Sequence, residues 1–344
     1  MLLIKSKIGG SSIIVPKINI IKRVGEKLLV GTDIGIFSLN IDAERGFIDT
    51  IYDEVMNSYF IDVKQVKQNK IQLKNERILG ATPINLGEIL LKFKDKVNVT
   101  SLLEIDNKVL IGTKGGLILM NLLTKKHKFY YPINKHITVL CKDSKNRIWI
   151  GTGNGISIGY FIGDELKLIT NLTIHSKLPS GKIKTIVCHP YKDEVWIGTD
   201  RGVCKVIGEL NILVVYEEKC NITDGCFTQN GDNIWFSTED TPPRLIRFNK
   251  EEKVEVFDVK EIKHINAITP IPQNKLILCG DELAEIDVYS LEVVIYRGLS
   301  KFSDFMALYY DYRSDCIITG TYVFGIFIKK GGKIFGEEML HGLM

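Results

Sequence analysis

The chain has 344 residues, 45% hydrophobic and 25% charged, with a formal net charge of +4. That balance belongs to a soluble globular protein with ample core material, and the even spread of Lys and Arg argues against a nucleic-acid or anionic-membrane surface. The opening MLLIKSK breaks its apolar run at Lys5 and no apolar stretch reaches bilayer length, so the expectation is a cytoplasmic protein.

Taken in chain order, residues 28–37 read LLVGTDIGIF, and the same pattern returns as VLIGTKGGLI (109–118), RIWIGTGNGI (147–156) and EVWIGTDRGV (194–203). Fainter copies follow as IWFSTEDT (234–241), LILCGDELA (276–284) and CIITGTYVFG (316–325). Residues 137–160 show the unit: alternating ITVLCKD, a polar turn, then the short apolar segments IWIGT and GISIGY, which predicts strand, turn, strand, turn, strand. A tight hairpin needs a residue at positive φ, and Gly35, Gly116, Gly155 and Gly202 share that place. The branched residues Val30, Ile111, Ile150 and Ile197 suit a strand buried against the next sheet, and Trp149, Trp196 and Trp235 should wedge between sheets.

Inner strands are predicted to start near Ile18, Tyr59, Val99, Ile137, Ile183, Ile222, Ile265 and Phe305. A period near forty residues with no helical periodicity points to four-stranded sheets set radially about an axis. The reading is therefore all-β: one β-propeller domain over residues 1–344, with eight blades favoured and seven the alternative. Residues 2–5 or 13–15 could close the ring beside residues 322–329.

Residues 178–186 (LPSGKIKTI) followed by EVWIGTDRGVCKV, and KDSKNRIW at 142–149, resemble the repeat of the two-component regulator propeller family. The resemblance implies a propeller that senses a ligand or docks a partner, in a family that often places it outside the cell, ahead of a membrane helix and a histidine kinase. This sequence shows neither of those two, so a stand-alone propeller is expected.

In such a ring the turns between second and third strands surround the channel mouth, which makes Asp33, Lys114, Asn154, Asp200, Arg201, Glu239, Asp240, Asp281, Glu282 and Tyr322 the candidate binding residues. Mostly acidic, they suggest a polar or basic partner; the plainer account is that turns are polar because water covers them. GISIG at 155–159 matches a nucleophile pattern but lies in a predicted strand, not at a strand-to-helix turn. The six histidines lack zinc spacing, no phosphate loop occurs, and no cofactor or metal is expected. Seven cysteines without a C-x-x-C pair suggest free thiols, with Cys141 and Cys188 as small buried residues of neighbouring repeats. In FYYP (129–132), Phe129 and Tyr131 should pack inward while Tyr130 points outward.

The expected function is a non-enzymatic module that binds a protein or a small polar ligand. Two alternatives stand beside it: a lyase or hydrolase with acid/base residues at the channel mouth, and a structural subunit of a larger assembly. Streptogramin lyases share the general architecture, but the sequence offers no histidine pair for their chemistry.

Overall fold

Short alternating segments punctuated by Gly-Thr turns fold as the pattern requires. The computed structural model describes residues 17–33, 35–40, 98–124, 126–130, 136–208, 210–216, 220–251, 253–296, 304–321, 326–330 and 333–335. They form seven antiparallel sheets, designated I to VII, over residues 18–40, 99–130, 137–172, 183–216, 222–258, 265–296 and 305–335. Each has strands in sequence order, four in sheets II to VII and three described in sheet I. The inner strands begin at Ile18, Val99, Ile137, Ile183, Ile222, Ile265 and Phe305, each a start read from the sequence. The start expected at Tyr59 lies outside the described residues.

The hairpins are held by their threonines. Thr32, Thr113, Thr152 and Thr199 close the second strands, are fully buried, and donate their hydroxyls to the carbonyls of Gly35, Gly116, Gly155 and Gly202 at 2.8 to 2.9 Å. The same oxygens accept backbone N–H groups from within the turns, at Gly35, Gly115, Asn154 and Arg201. Gly116, Gly155 and Gly202 take φ of 140°, 110° and 114°, as a tight turn demands.

The glycine before each threonine has a different duty. A Cβ on Gly31 would stand 2.5 Å from Val99, on Gly112 2.7 Å from Ile137, on Gly151 2.8 Å from Ile183 and on Gly198 2.6 Å from Ile222. Each of those partners opens the inner strand of the following sheet, so the missing side chain is the slot in which the next sheet seats. Ser237 and Cys279 hold the same register place in sheets V and VI, which explains why those repeats look faint: the requirement is smallness, not glycine. Gly320 in sheet VII seats Ile18 of sheet I.

The inner strands therefore pack in cyclic order from I to VII and back to I. Sheet I abuts sheet II directly, so the favoured count of eight gives way, among the described residues, to seven. The seam between VII and I is joined by Arg23, whose Nε and Nη2 donate to both carboxylate oxygens of Asp311 at 2.8 and 2.7 Å. The place beside residues 326–330 is taken by Lys333–Phe335 of the same sheet, so the closing strand expected from residues 2–5 or 13–15 is not needed there; those residues lie outside the described ones.

The core consists of layers between sheets. Trp149, Trp196 and Trp235 are buried in the layers III–IV, IV–V and V–VI, as the wedge reading required. Strand alternation corrects one detail: because neighbours along a strand face opposite ways, Ile111, Ile150 and Ile197 pack on the preceding sheet while the tryptophans and slot glycines face the next. Asp143 anchors the turn ahead of Trp149, accepting the N–H groups of Lys145 and Arg147 at 2.9 Å and the indole N–H at 2.8 Å. Tyr130 is a second correction: it packs edge-on to Phe161 of sheet III instead of pointing into water, while Phe129 packs inward on the I–II layer and Tyr131 lies outside the described residues.

Cys141 and Cys188 do not stay free. They join the inner strands of sheets III and IV as a disulfide, with Cα atoms 6.4 Å apart, inside the range a bridge requires. Cys204, Cys220, Cys226, Cys279 and Cys316 are buried. Among the described residues no helix is long and apolar enough to cross a membrane.

Candidate binding face

Among the described residues, turns between second and third strands bond to the links that lead into inner strands, in sheets I, II, V and VI to the link of the same sheet and in sheet III to the link of sheet IV. Asp33 and Lys17 exchange bonds, the Asp33 N–H donating to the Lys17 carbonyl at 3.2 Å and the Lys17 N–H donating to Asp33 Oδ1 at 2.9 Å. Lys114 N–H reaches the Asn98 carbonyl at 3.0 Å, Gly155 N–H the Gly181 carbonyl at 2.7 Å, and Glu239 N–H the Asn221 carbonyl at 2.8 Å. Asp281 Oδ1 accepts the N–H of Lys263 at 2.8 Å. Because the seven inner strands stand side by side, these turn-and-link pairs gather on one face of the ring.

Asp33, Lys114, Asn154, Asp200, Arg201, Glu239, Asp240, Asp281 and Glu282 all lie on that face, and Tyr322 is outside the described residues. Their side chains are not equally available. Asp33 and Asp281 cap backbone N–H groups, and Asp240 is held by Arg244 at 2.8 to 2.9 Å, so these three serve their own turns. Asp200 meets Lys182 at 3.3 Å, and Glu239 Oε2 takes a short bond from Asn221. Asp200 Oδ1, Asn221 Oδ1 and Glu282 Oε2 are buried acceptors with no hydrogen-bond partner among the described residues.

The repeat pattern drew attention to the turns and passed over the links. Lys17, His136, Lys182, Asn221 and His264 immediately precede inner strands and face the turns across the rim. Their position one residue before each inner strand was the signal that could have found them. They also change the electrostatics. Burial lowers the Lys17 pKa and the Lys114 charge lowers it further, against the raising effect of Asp33 and Asp304. His136 is lowered by burial and then by Lys114. Lys17 and Lys114 thus bring two ammonium groups to the rim beside Asp33, so its charge across sheets I to III is mixed, where an all-turn reading suggested an acidic surface. For Asp200 burial acts upward, but Ser180, Lys182 and Arg201 outweigh it and hold the carboxyl below its ordinary value.

Ser157 is buried in a strand and donates its hydroxyl to Asn171 Oδ1 at 2.7 Å, with no helix following, so the GISIG match is structural.

With the Asp143 turn and its tryptophan in view, the family comparison falls where the geometry is most regular. Residues 131–154 match the family described as two component regulator propeller. That stretch is similar to one repeat of this family. No curated protein matches the sequence. Among solved structures, the extracellular domain of BT4673 from B. thetaiotaomicron superposes with a TM-score of 0.64 at 13% identity, over 95% of this chain and 39% of that one. That protein is described as a one component system in one structure and as a hybrid two component system in another. The chain spans about two fifths of its length. Virginiamycin B lyase from Staphylococcus aureus superposes with a TM-score of 0.62 at 13% identity, over 91% of this chain and 93% of that one. A catalytically inactive variant of that lyase, solved with quinupristin, reaches 0.65 at 12% identity. At such identities the likeness establishes the propeller fold, which hosts both binding proteins and enzymes.

Proposed function

We propose that this propeller is a non-enzymatic binding module whose channel-mouth face takes a protein partner or a small polar ligand. The observation that carries this reading is that buried acceptor oxygens of Asp200, Asn221 and Glu282 without hydrogen-bond partners share one face with the ammonium groups of Lys17 and Lys114. A buried acceptor without a donor is costly, at about 1–3 kcal/mol each, and a ligand bearing N–H or O–H groups would recover that cost. The depressed Asp200 pKa supports binding over acid/base work, because a carboxyl held ionised does not trade a proton near neutrality.

The test is an affinity comparison between the wild type and an Asp200→Lys, Glu239→Lys double variant. A partner or metabolite that co-purifies with the first and is lost from the second, at unchanged melting temperature, supports the reading. Equal retention by both proteins places any binding elsewhere and sinks it. The lyase alternative draws on one observation, the superposition on virginiamycin B lyase, and turnover of quinupristin by this chain would favour it.

A further inference from the structure

A cleft of about 260 Å³ opens between sheets II and III on the face opposite the channel mouth. Lys108, Lys126, His127, Lys128 and Asp164 line it, with Leu119 as the single aliphatic side chain. The cleft is built across two sheets: Lys108 of sheet II pairs with Asp164 in the turn of sheet III, and the Tyr130 hydroxyl bonds the Asp164 carbonyl. Asn121 fixes the turn that leads to Lys126, its Oδ1 accepting the N–H groups of Leu123 and Thr124 at 3.0 and 2.9 Å.

The charge in this cleft does not balance. Asp164 is taken by Lys108, and the next carboxylate, Glu165, is paired with Lys167 at 2.8 Å while also feeling the Lys128 charge, so four ammonium groups stand against two carboxylates. Lys126 and Lys128 are both exposed. The Lys128 ammonium stands 5.4 Å from the centre of the Tyr130 ring, a contact that leaves its full charge in place. His127 lies between the two lysines, its ring against Phe129.

We propose that this cleft binds a small polar anion carrying phosphate or carboxylate groups. Lysine ammonium groups bind such oxyanions as point charges. The volume lies just under the roughly 300–1,000 Å³ of drug-sized pockets, so the ligand is a small molecule and not a folded partner.

Calorimetric titration at low salt, with inorganic pyrophosphate and separately with citrate, tests the proposal. The expected result is saturable binding of at least one of them with a Kd below about 1 mM, and which of the two binds identifies the anionic group. A Lys126→Glu, Lys128→Glu double variant, altered only at exposed positions, should keep its melting temperature and bind at least about tenfold more weakly. Lys250→Glu, the same charge reversal at an exposed turn of sheet V, should leave the affinity unchanged. No saturable heat with either anion, or full affinity in the double lysine variant, overturns the proposal.

Discussion

Asp224 shows how one residue carries a consequence that its neighbours in the sequence do not announce. It occupies the third position of the sheet V inner strand, where Ser101 stands in sheet II, and both accept an N–H from the next inner strand: Ser101 Oγ from Leu140 and Asp224 Oδ2 from Ile268, each at 3.0 Å. A hydroxyl fills that role without charge, but a carboxyl does not. Desolvation pushes the Asp224 pKa up from 3.8 to about 6, against bonds from Ile268, Gly225 and Thr185 that favour the ionised form. Cys226 and Cys279 lie close enough to feel its charge and offer no cation to offset it. The sign follows from the raised value: stability is fully present below the unfolded pKa and falls as pH rises through about 6. Asp224→Asn keeps an acceptor and removes the ionisation. It should melt like the wild type near pH 4 and exceed it at pH 8 by up to roughly 3 kcal/mol, less to the extent that channel water reaches the carboxylate. Melting curves at the two pH values decide the matter, and a gap independent of pH would refute the assignment.

At the scale of the element, the Gly-Thr unit unites two functions that look like one motif. The threonine closes the hairpin and the glycine seats the next sheet. Gly198→Val would place side-chain atoms against Ile222 and Thr185, where a Cβ alone already comes within 2.6 and 2.8 Å. The expected cost is about 1–3 kcal/mol of overpacking, read as a lower denaturation midpoint with the slope unchanged. Trp196 faces the same layer, its ring 4.9 Å from that of Phe248, and Trp196→Ala should cost roughly 3–5 kcal/mol. If either variant unfolds at the wild-type midpoint, the layer between sheets IV and V is not what holds them together.

At the scale of the molecule, the ring depends on a seam between residues almost three hundred positions apart. Arg23 and Asp311 are 11% and 1% exposed, so removing one partner strands a buried charge. Arg23→Met should cost about 3–5 kcal/mol, and an Arg23→Met, Asp311→Leu pair should regain most of it. Hydrogen exchange should rise first in sheets I and VII of the single variant; uniform loosening would argue against a local seam. Burial acts to raise the Asp311 pKa, but Arg23 and Ser314 outweigh it and the net value is lowered. A depressed carboxyl stabilises above its unfolded pKa and loses that contribution as pH falls through the folded one, so the wild-type seam should weaken in acid, and Arg23→Met should show no such extra loss.

Strand starts, hairpin threonines and wedge tryptophans were legible in the sequence because each depends on residues within one repeat, where alternation and turn chemistry leave a local trace. The inner-strand start at Ile137 and the Asp143 turn are readable from a dozen letters. The number of sheets was not legible, since it depends on Val99 pressing into the slot at Gly31 across residues that carry no clear repeat. The pairing of Cys141 with Cys188 and the approach of Lys17 to Lys114 escaped for the same reason: each is made by side chains from different sheets. Composition and period by themselves determined that this chain would build small antiparallel sheets about an axis. Only the tertiary structure decided which sheets touch, how the ring meets itself and which charges share a face, because those outcomes are set by distances in space that sequence separation does not encode.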